Sequence, residues 1–563
     1  MKQRKWIASV LFFAVFVFAL FPFGGQASPE LPPEGWTGIY GREDLEKISL
    51  APDGQYILMN DIDLTGAAWT PLCSEDLPFS GVLDGNSFSV YGMEVSVKNA
   101  VCGLFSFISG GEVKNLSVAG SAEGSVVGLL AGKAHNAIIS DCFTQGSVSG
   151  TFCAGGLVGQ ISGESGSISY CVSDAFVSLV PPSGASKNAE FFLGGLVGAA
   201  YGTDLTFSGC QTMGTVSFSG TTVTAGGMVG LFDAGGLISE CGTESALSLS
   251  VSKKACVGGL VGRLGSYGVT VRKSTFRSEW EIPSCDGYLD VGGIVGRIDA
   301  LEPVVVEECI AYGMISSVAD SASLGGIVGT SVAAEASVSV LRCTSFAHLS
   351  ATGHPLYVGG ICGINRGEGG LALIENCHGD GSVTHDIAPI EDPQVFFGGI
   401  CAFNGGSGDS KISLCFSSCE MLITYVLVDG AVVGMSDAFT DEGTALVDRC
   451  YYRDGAREFF ATAVSGEALS DPASYVGFDF ETVWRIDESF ALPLLRTDSE
   501  ISDSLPAGDV DGNGLITPYD AQLLLQYLTD RTVLSDGQLH RADIDGNGLL
   551  DARDVSLILR NAI

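Results

Sequence analysis

Basic residues are scarce in this chain: its 563 residues hold 28 Lys and Arg against 65 Asp and Glu, a net charge of −37. A surface so acidic repels a phosphate backbone, which argues against nucleic acid as a partner. Histidine is scarcer still, six in all (135, 348, 354, 378, 385 and 540), scattered singly. No HExxH string sets two of them one helical turn apart around a glutamate, so the zinc-peptidase arrangement is missing. No CxxC pair occurs among the 17 cysteines, Cys415 and Cys419 standing four apart. The nearest string to GxSxG, GESGS at Gly163, lies in a Gly- and Ser-rich turn without the strand-to-helix elbow a serine hydrolase needs.

What is present begins with an export signal. Lys2, Arg4 and Lys5 precede an apolar run from Trp6 to Phe23, and Gly25, Gln26 and Ala27 offer a cleavage site before Ser28. Residues 1–27 are therefore expected to be a signal peptide, with an uncleaved anchor as the alternative. No second apolar run of spanning length follows, so the rest is expected outside the cytoplasm. The 77 glycines and the 46% apolar content favour many short strands joined by tight turns.

Those glycines are periodic. A core of two glycines, two aliphatics and a glycine recurs as GGLVG at Gly155, Gly194 and Gly258, GGMVG at Gly226, and GGIVG at Gly292 and Gly325. It continues as GGICG at Gly359 and GGICA at Gly398, with weaker copies near Gly103, Gly128 and Gly430. Eleven copies at intervals of 25 to 39 residues describe a solenoid whose loops vary in length.

A second column holds Cys142, Cys171, Cys210, Cys241, Cys309, Cys343, Cys377, Cys415 and Cys450, with Ser274 in one copy. An apolar residue lies three before each, an offset that requires a bend within the strand pattern. A small residue lies four after most of them, as at Gly146, Ala175 and Gly313, which predicts a turn packed tightly on its neighbours. One cysteine per coil is a packing ladder, not a four-ligand metal cluster. Strand spacing exceeds the Cβ separation of a disulfide, so the thiols are expected to be mostly free. Two short strands per repeat, with a third in the variable segment, give one coil of a right-handed parallel β-helix.

These repeats resemble the GLUG motif of bacterial surface β-helix proteins, some of them related to peptidases that cleave immunoglobulin A. YILMNDIDLTGAAWTPL from Tyr56 and FSGVLDGNSFSVYGM from Phe79 are similar to the lead-in of such proteins, and YVGFDFETVWRIDESFALPLLR from Tyr475 to their closing segment. The resemblance implies a lead-in and cap over residues 28–102, repeats over 103–450 and a closing segment over 451–496. The polar strings Asn60, Asp61, Asp63 and Asp84 with Asn86 are assigned to turns.

After an acidic linker over 497–507, DVDGNGLITPYD is followed 34 residues later by DIDGNGLLDARD. Oxygen ligands at loop positions 1, 3, 5, 7 and 12, with glycine at 6, are the spacing that wraps Ca²⁺. The first loop offers Asp509, Asp511, Asn513, the Leu515 carbonyl and Asp520; the second offers Asp543, Asp545, Asn547, the Leu549 carbonyl and Asp554. Thr517 and Asp551 occupy position 9, suited to acting through water. A helix is expected after each loop, over 521–528 and 555–560. This duplicated pattern over 508–563, with Asp at position 12, resembles a type I dockerin. The resemblance implies two calcium ions, a cohesin partner on a scaffoldin in a cellulosome-like assembly, and partner choice through Pro518, Tyr519, Ala552 and Arg553.

Three readings of the solenoid stay open: a glycan-binding or surface-binding display with polysaccharide as the ligand, a polysaccharide-degrading enzyme, and a structural surface protein or adhesin. Carboxylates gathered across coils in a groove would favour the enzyme, and stacked aromatics on one face the glycan binder.

Overall fold

A computed structural model describes residues 31–97, 99–186, 189–353, 355–385, 395–423, 428–438, 443–455, 457–487 and 491–496, and in the C-terminal part 507–508, 510, 516, 518–528, 541–544 and 549–561. Before residue 496 the chain winds as a stack of coils. In one coil, strands Val158–Gly163, Gly166–Ser169, Val172–Leu179 and Phe191–Gly194 follow one another, and each pairs in parallel with its counterpart in the next coil. The first two rows form one sheet and the last two another. Each coil thus contributes four strand segments where three were expected, because the stretch after the cysteine continues past a break into the glycine core.

The glycine pair is explained by the corner between the fourth row and the first. A Cβ on the second glycine would collide with the carbonyl oxygen of the matching glycine one coil on, as at Gly195 against Gly227 and Gly293 against Gly326. A Cβ on the first would strike a carbonyl three residues ahead, as at Gly194 against Val197. Coils therefore touch backbone to backbone here, and the corner is hydrogen-bonded like the strands: Leu196 and Val197 N–H both donate to the Met228 carbonyl, at 2.9 and 3.0 Å. Both aliphatics of the core are fully buried although adjacent in sequence, since the bend between them breaks the period of two.

The bend before each cysteine is a single left-handed residue. Asp141, Tyr170, Glu240, Lys273, Glu308, Arg342, Asn376, Leu414 and Arg449 take φ of 49 to 56°, and Gly209 takes 62°. That conformation costs an L-residue roughly 1–2 kcal/mol, offset here by rung-to-rung bonds such as Tyr170 N–H to the Ser208 carbonyl at 2.9 Å. The cysteine that follows points inward and donates to the carbonyl two residues before it, Cys171 to Ser169 at 3.3 Å and Cys415 to Ser413 at 3.2 Å. Ser274 makes the same bond to Arg272 at 2.9 Å, which is why serine fits that rung. The column selects a small side chain that can also donate, not merely a small apolar one.

The pairing ladder does not start with the first repeat. Thr37–Ile39, Gln55–Leu58 and Val82–Asp84 precede Glu112–Lys114 in the same row, which runs on to Ala445–Asp448. Fourteen stacked strands at about 4.8 Å make a rod roughly 60 Å long. The short helix Arg42–Glu46 lies just after the first rung. At the other end the direction changes: Trp484–Asp487 and Leu492–Leu495 pair antiparallel, and Tyr475, Phe478 and Trp484 pack with Phe416 and Tyr451 of the last coils. Trp484 Nε1 donates to Asn376 Oδ1 at 3.2 Å.

All 17 cysteines are free, and all but Cys419 are buried. Burial pushes the thiols of Cys73 and Cys102 up to about 11 and that of Cys256 to about 12, and it also raises Cys171, Cys241, Cys343 and Cys415. An unfolded thiol ionises near pH 8.5. Above that pH the unfolded state loses protons that the folded state keeps, so the stability these groups contribute is lost as pH rises toward the folded values. Thiol counting with an aromatic disulfide reagent at about pH 8 is expected to detect Cys419 at most in the folded protein. After denaturation without reductant all 17 should react, and the denaturation midpoint should fall between about pH 8 and pH 10.

Candidate functional site

In the C-terminal module two helices, Pro518–Leu528 and Ala552–Asn561, pack against each other around Val510, Ala521, Leu524, Ala542 and Ile558. Both begin three residues earlier than expected. Pro518 suits the first helical position, where its missing N–H would have had no partner. Arg541 and Ala542, just before the second loop, are also helical. Asp509, Asp511, Asn513, Leu515, Thr517, Asp545 and Asn547 lie outside the described residues.

The described ligand candidates divide by burial. Asp520 and Asp554, at position 12 of their loops, are fully buried in the first turns of the two helices. Asp543 is half-buried and Asp551 exposed; the Leu549 side chain is exposed, which leaves its carbonyl role untouched. The second helix start is a capping box. Asp551 Oδ1 accepts from Arg553 N–H at 2.6 Å, and Asp554 Oδ2 accepts from Asp551 N–H at 3.0 Å. Asp554 Oδ1 is left buried without a hydrogen-bond partner. A buried carboxylate oxygen with no donor is costly, and a hard cation seated over it removes that cost, so the residue fits calcium. Thr517 and Asp520 have the same sequence offset, at positions 9 and 12 of the first loop. Ala552 and Arg553 are exposed on the first turn of the second helix, and Pro518 and Tyr519 belong to the first turn of the other.

On the solenoid, the polar strings near the start are turn formers. Asp84 Oδ1 accepts from Asn86 N–H and Asn115 Nδ2, at 2.8 and 3.1 Å, while Asp61 accepts from Ser89 N–H at 2.8 Å. A different set comes together along the outside of the glycine corner. There the outward faces of the fourth and first rows meet, so Cys153, Phe192, Ala199 and Leu231 form a small cluster apart from the main core. Farther along the same corner the stripe turns polar. Arg263 and Arg297 are paired neighbours on adjacent rungs. Asp299 lies between them, 3.4 Å from Arg263 Nε and 2.8 Å from Arg297 Nη2. Arg263 Nη1 reaches Glu190 Oε1 at 3.2 Å, and Arg297 Nη1 reaches Asp290 Oδ2 at 3.2 Å. Asp290 is fully buried; burial raises its pKa against the pull of Arg297, and the Thr330 and Tyr288 hydroxyls donate to it.

Sequence reasoning missed this network. Its one legible signal is the arginine directly after two consecutive cores, GGLVGR at Gly258 and GGIVGR at Gly292. Among the described residues no group of three His, Cys, Asp or Glu could hold a metal.

Residues 507–562 match the family model of the dockerin type I domain. Such domains bind calcium and take a cohesin as partner. No curated protein matches the chain. Among solved structures, a candidate immunoglobulin A1 protease from Bacteroides ovatus aligns with 85% of this chain and 96% of its own length at 16% identity. Its TM-score is 0.33, too low to carry an argument. No helix of the described residues is long and apolar enough to cross a membrane.

The capping box separates two roles that a ligand list would merge. Asp551→Ala is expected to cost about 1 kcal/mol of module stability with or without calcium. Asp554→Asn should lower calcium affinity at least tenfold while changing apo stability little. Calorimetric calcium titration and chelator-dependent melting of the full chain measure both; equal effects of the two variants on affinity would contradict the assignment.

Proposed function

We propose that this protein is a secreted, cellulosome-type component that attaches to a cohesin through its calcium-loaded C-terminal module and displays a GLUG-type β-solenoid for glycan or surface binding. The observation that carries the docking half is the buried, unpartnered Asp554 Oδ1 at position 12 of a loop inside a matched type I dockerin. Two ions, one per loop, are held by Asp509, Asp511, Asn513, the Leu515 carbonyl and Asp520, and by Asp543, Asp545, Asn547, the Leu549 carbonyl and Asp554. Thr517 and Asp551 act through water. Calcium offsets the repulsion among these carboxylates and fixes the helix starts, which presents the exposed Ala552 and Arg553 for partner contact together with Pro518 and Tyr519.

The two halves differ at the contact positions, Pro-Tyr against Ala-Arg. A cohesin that accepts one half is therefore not expected to accept the other equally.

The polysaccharide-degrading reading has one observation in its favour: Glu190, Asp290 and Asp299 lie within a few coils of one another, linked through Arg263 and Arg297. Each of them is held by an arginine, and Asp290 is wholly covered. General acid chemistry needs a carboxyl within reach of the leaving oxygen, so binding is the reading preferred.

Cohesin capture tests the docking half. The full chain should be retained on immobilised cohesins from its native host with calcium present and released by chelator. The double variant Asp509→Ala, Asp543→Ala should not be retained, while its β-rich circular dichroism stays unchanged, because stacked coils depend on their neighbours and not on a distant ion. Retention in chelator, or no retention on any host cohesin with calcium, contradicts the proposal.

A further inference from the structure

Along the glycine corner the outward stripe changes character in a fixed order. After Lys133 and Gln160 on its early rungs it is apolar at Cys153, Phe192 and Leu231, becomes charged again at Arg263 and Arg297, and turns aromatic at Tyr357, Phe396 and Phe403. The positions are equivalent from coil to coil: Phe192, Thr224, Asp290, Tyr357 and Phe396 lie in one column, and Leu231, Arg263, Arg297 and Phe403 in the other. Two arginines directly opposite on neighbouring strands are unfavourable in themselves, and in a chain with only 28 basic residues their placement is costly to maintain.

The charged rungs are also the accessible ones. Glu190 and Asp299 expose 32% of their side chains, Arg263 29% and Arg297 21%, over a floor formed by Asp290, Thr330 and Cys256, each 2% exposed or less. Along the axis Glu190 is followed by Arg263 and then by Arg297 and Asp299, which share one strand, so acceptors and donors interleave within a few rungs, with an aromatic cluster farther along. Tyr357 and Phe396 stack at 5.3 Å between centroids, and Phe403 meets both edge-on. Convergent polar groups beside an apolar cluster are a usual feature of a ligand site.

The ligand chemistry follows from the charge balance. Two guanidinium groups face two partly exposed carboxylates, with Asp290 buried against Arg297, so the strip carries little net charge inside a strongly acidic chain. An anionic polymer would meet repulsion from the surrounding surface. A neutral chain rich in hydroxyls can donate to Glu190 and Asp299, accept from Arg263 and Arg297, and lay its apolar ring faces on the aromatic end.

Resting on the glycan-binding half of the proposed function, we infer that this corner strip is the binding site for a neutral polysaccharide lying along the solenoid axis, with Glu190, Arg263, Asp299 and Arg297 as its polar contacts and Tyr357 with Phe396 as its platform. Asp290 positions Arg297 from beneath and does not touch the ligand.

The test is affinity electrophoresis and calorimetry of the full chain on hydroxyethylcellulose, xylan and galactomannan, with polygalacturonate as the anionic comparison. The wild-type chain is expected to bind at least one neutral polymer and not polygalacturonate. Glu190→Gln and Arg263→Ala, both at partly exposed side chains, should each weaken that binding about tenfold or more, and Tyr357→Ala likewise, with unchanged circular dichroism and unchanged calcium-dependent cohesin capture. Neutral-polymer binding that survives all three variants overturns this site and leaves the glycan-binding reading standing. No binding to any neutral polymer overturns both, and preference for polygalacturonate overturns the neutral assignment.

Discussion

The architecture depends on how closely one coil's backbone lies on the next at the corners. In the strands, parallel pairing leaves room for side chains on both faces. At the glycine pair there is none, because the space a Cβ would fill holds the next coil's carbonyl oxygen. A residue with a side chain there would pry adjacent coils apart and break pairing on both sides. The glycine column, the left-handed column before the cysteines and the small residues after them all serve that same contact, each at a different bend of the coil.

The same closeness explains the inward chemistry. A rung that turns through one left-handed residue leaves the next side chain pointing into a narrow corner, where a thiol or hydroxyl reaches the carbonyl two residues back. Cysteine satisfies this at little desolvation cost, which is why so many thiols are present without a single disulfide. The open last rung, a template for unwanted pairing, is met by the antiparallel strand pair and the aromatic cluster around Trp484.

Charge is used differently in the two parts of the molecule that carry chemistry. In the module, Asp520 and Asp554 are buried in the first turns of the two helices, and one oxygen of Asp554 is held buried without a hydrogen-bond partner. That arrangement is unfavourable until a divalent ion arrives. In the corner strip, carboxylates alternate with guanidinium groups and the ensemble is balanced before any ligand is present. The first arrangement couples folding to an ion; the second presents donors and acceptors at fixed spacing to a neutral partner.

Features whose spacing is local to the chain were legible in the sequence by itself. The glycine cores, the cysteine column, the bend at a three-residue offset and the two acidic loops each lie within a dozen residues, and short-range geometry fixes what such spacings can do. Features that depend on which rung a residue occupies were decided only by the tertiary structure. Glu190 and Arg263 are 73 residues apart, and their ion pair exists because the intervening loops, of unequal length, return the chain to matching register. The strands before residue 102 join the ladder without the repeat motif, because parallel pairing is made by backbone groups and tolerates different side chains. The burial of Asp290 beside Arg297 follows from two outward faces closing on each other at the glycine corner, and a one-dimensional pattern marks a residue as outward without showing what else that face meets.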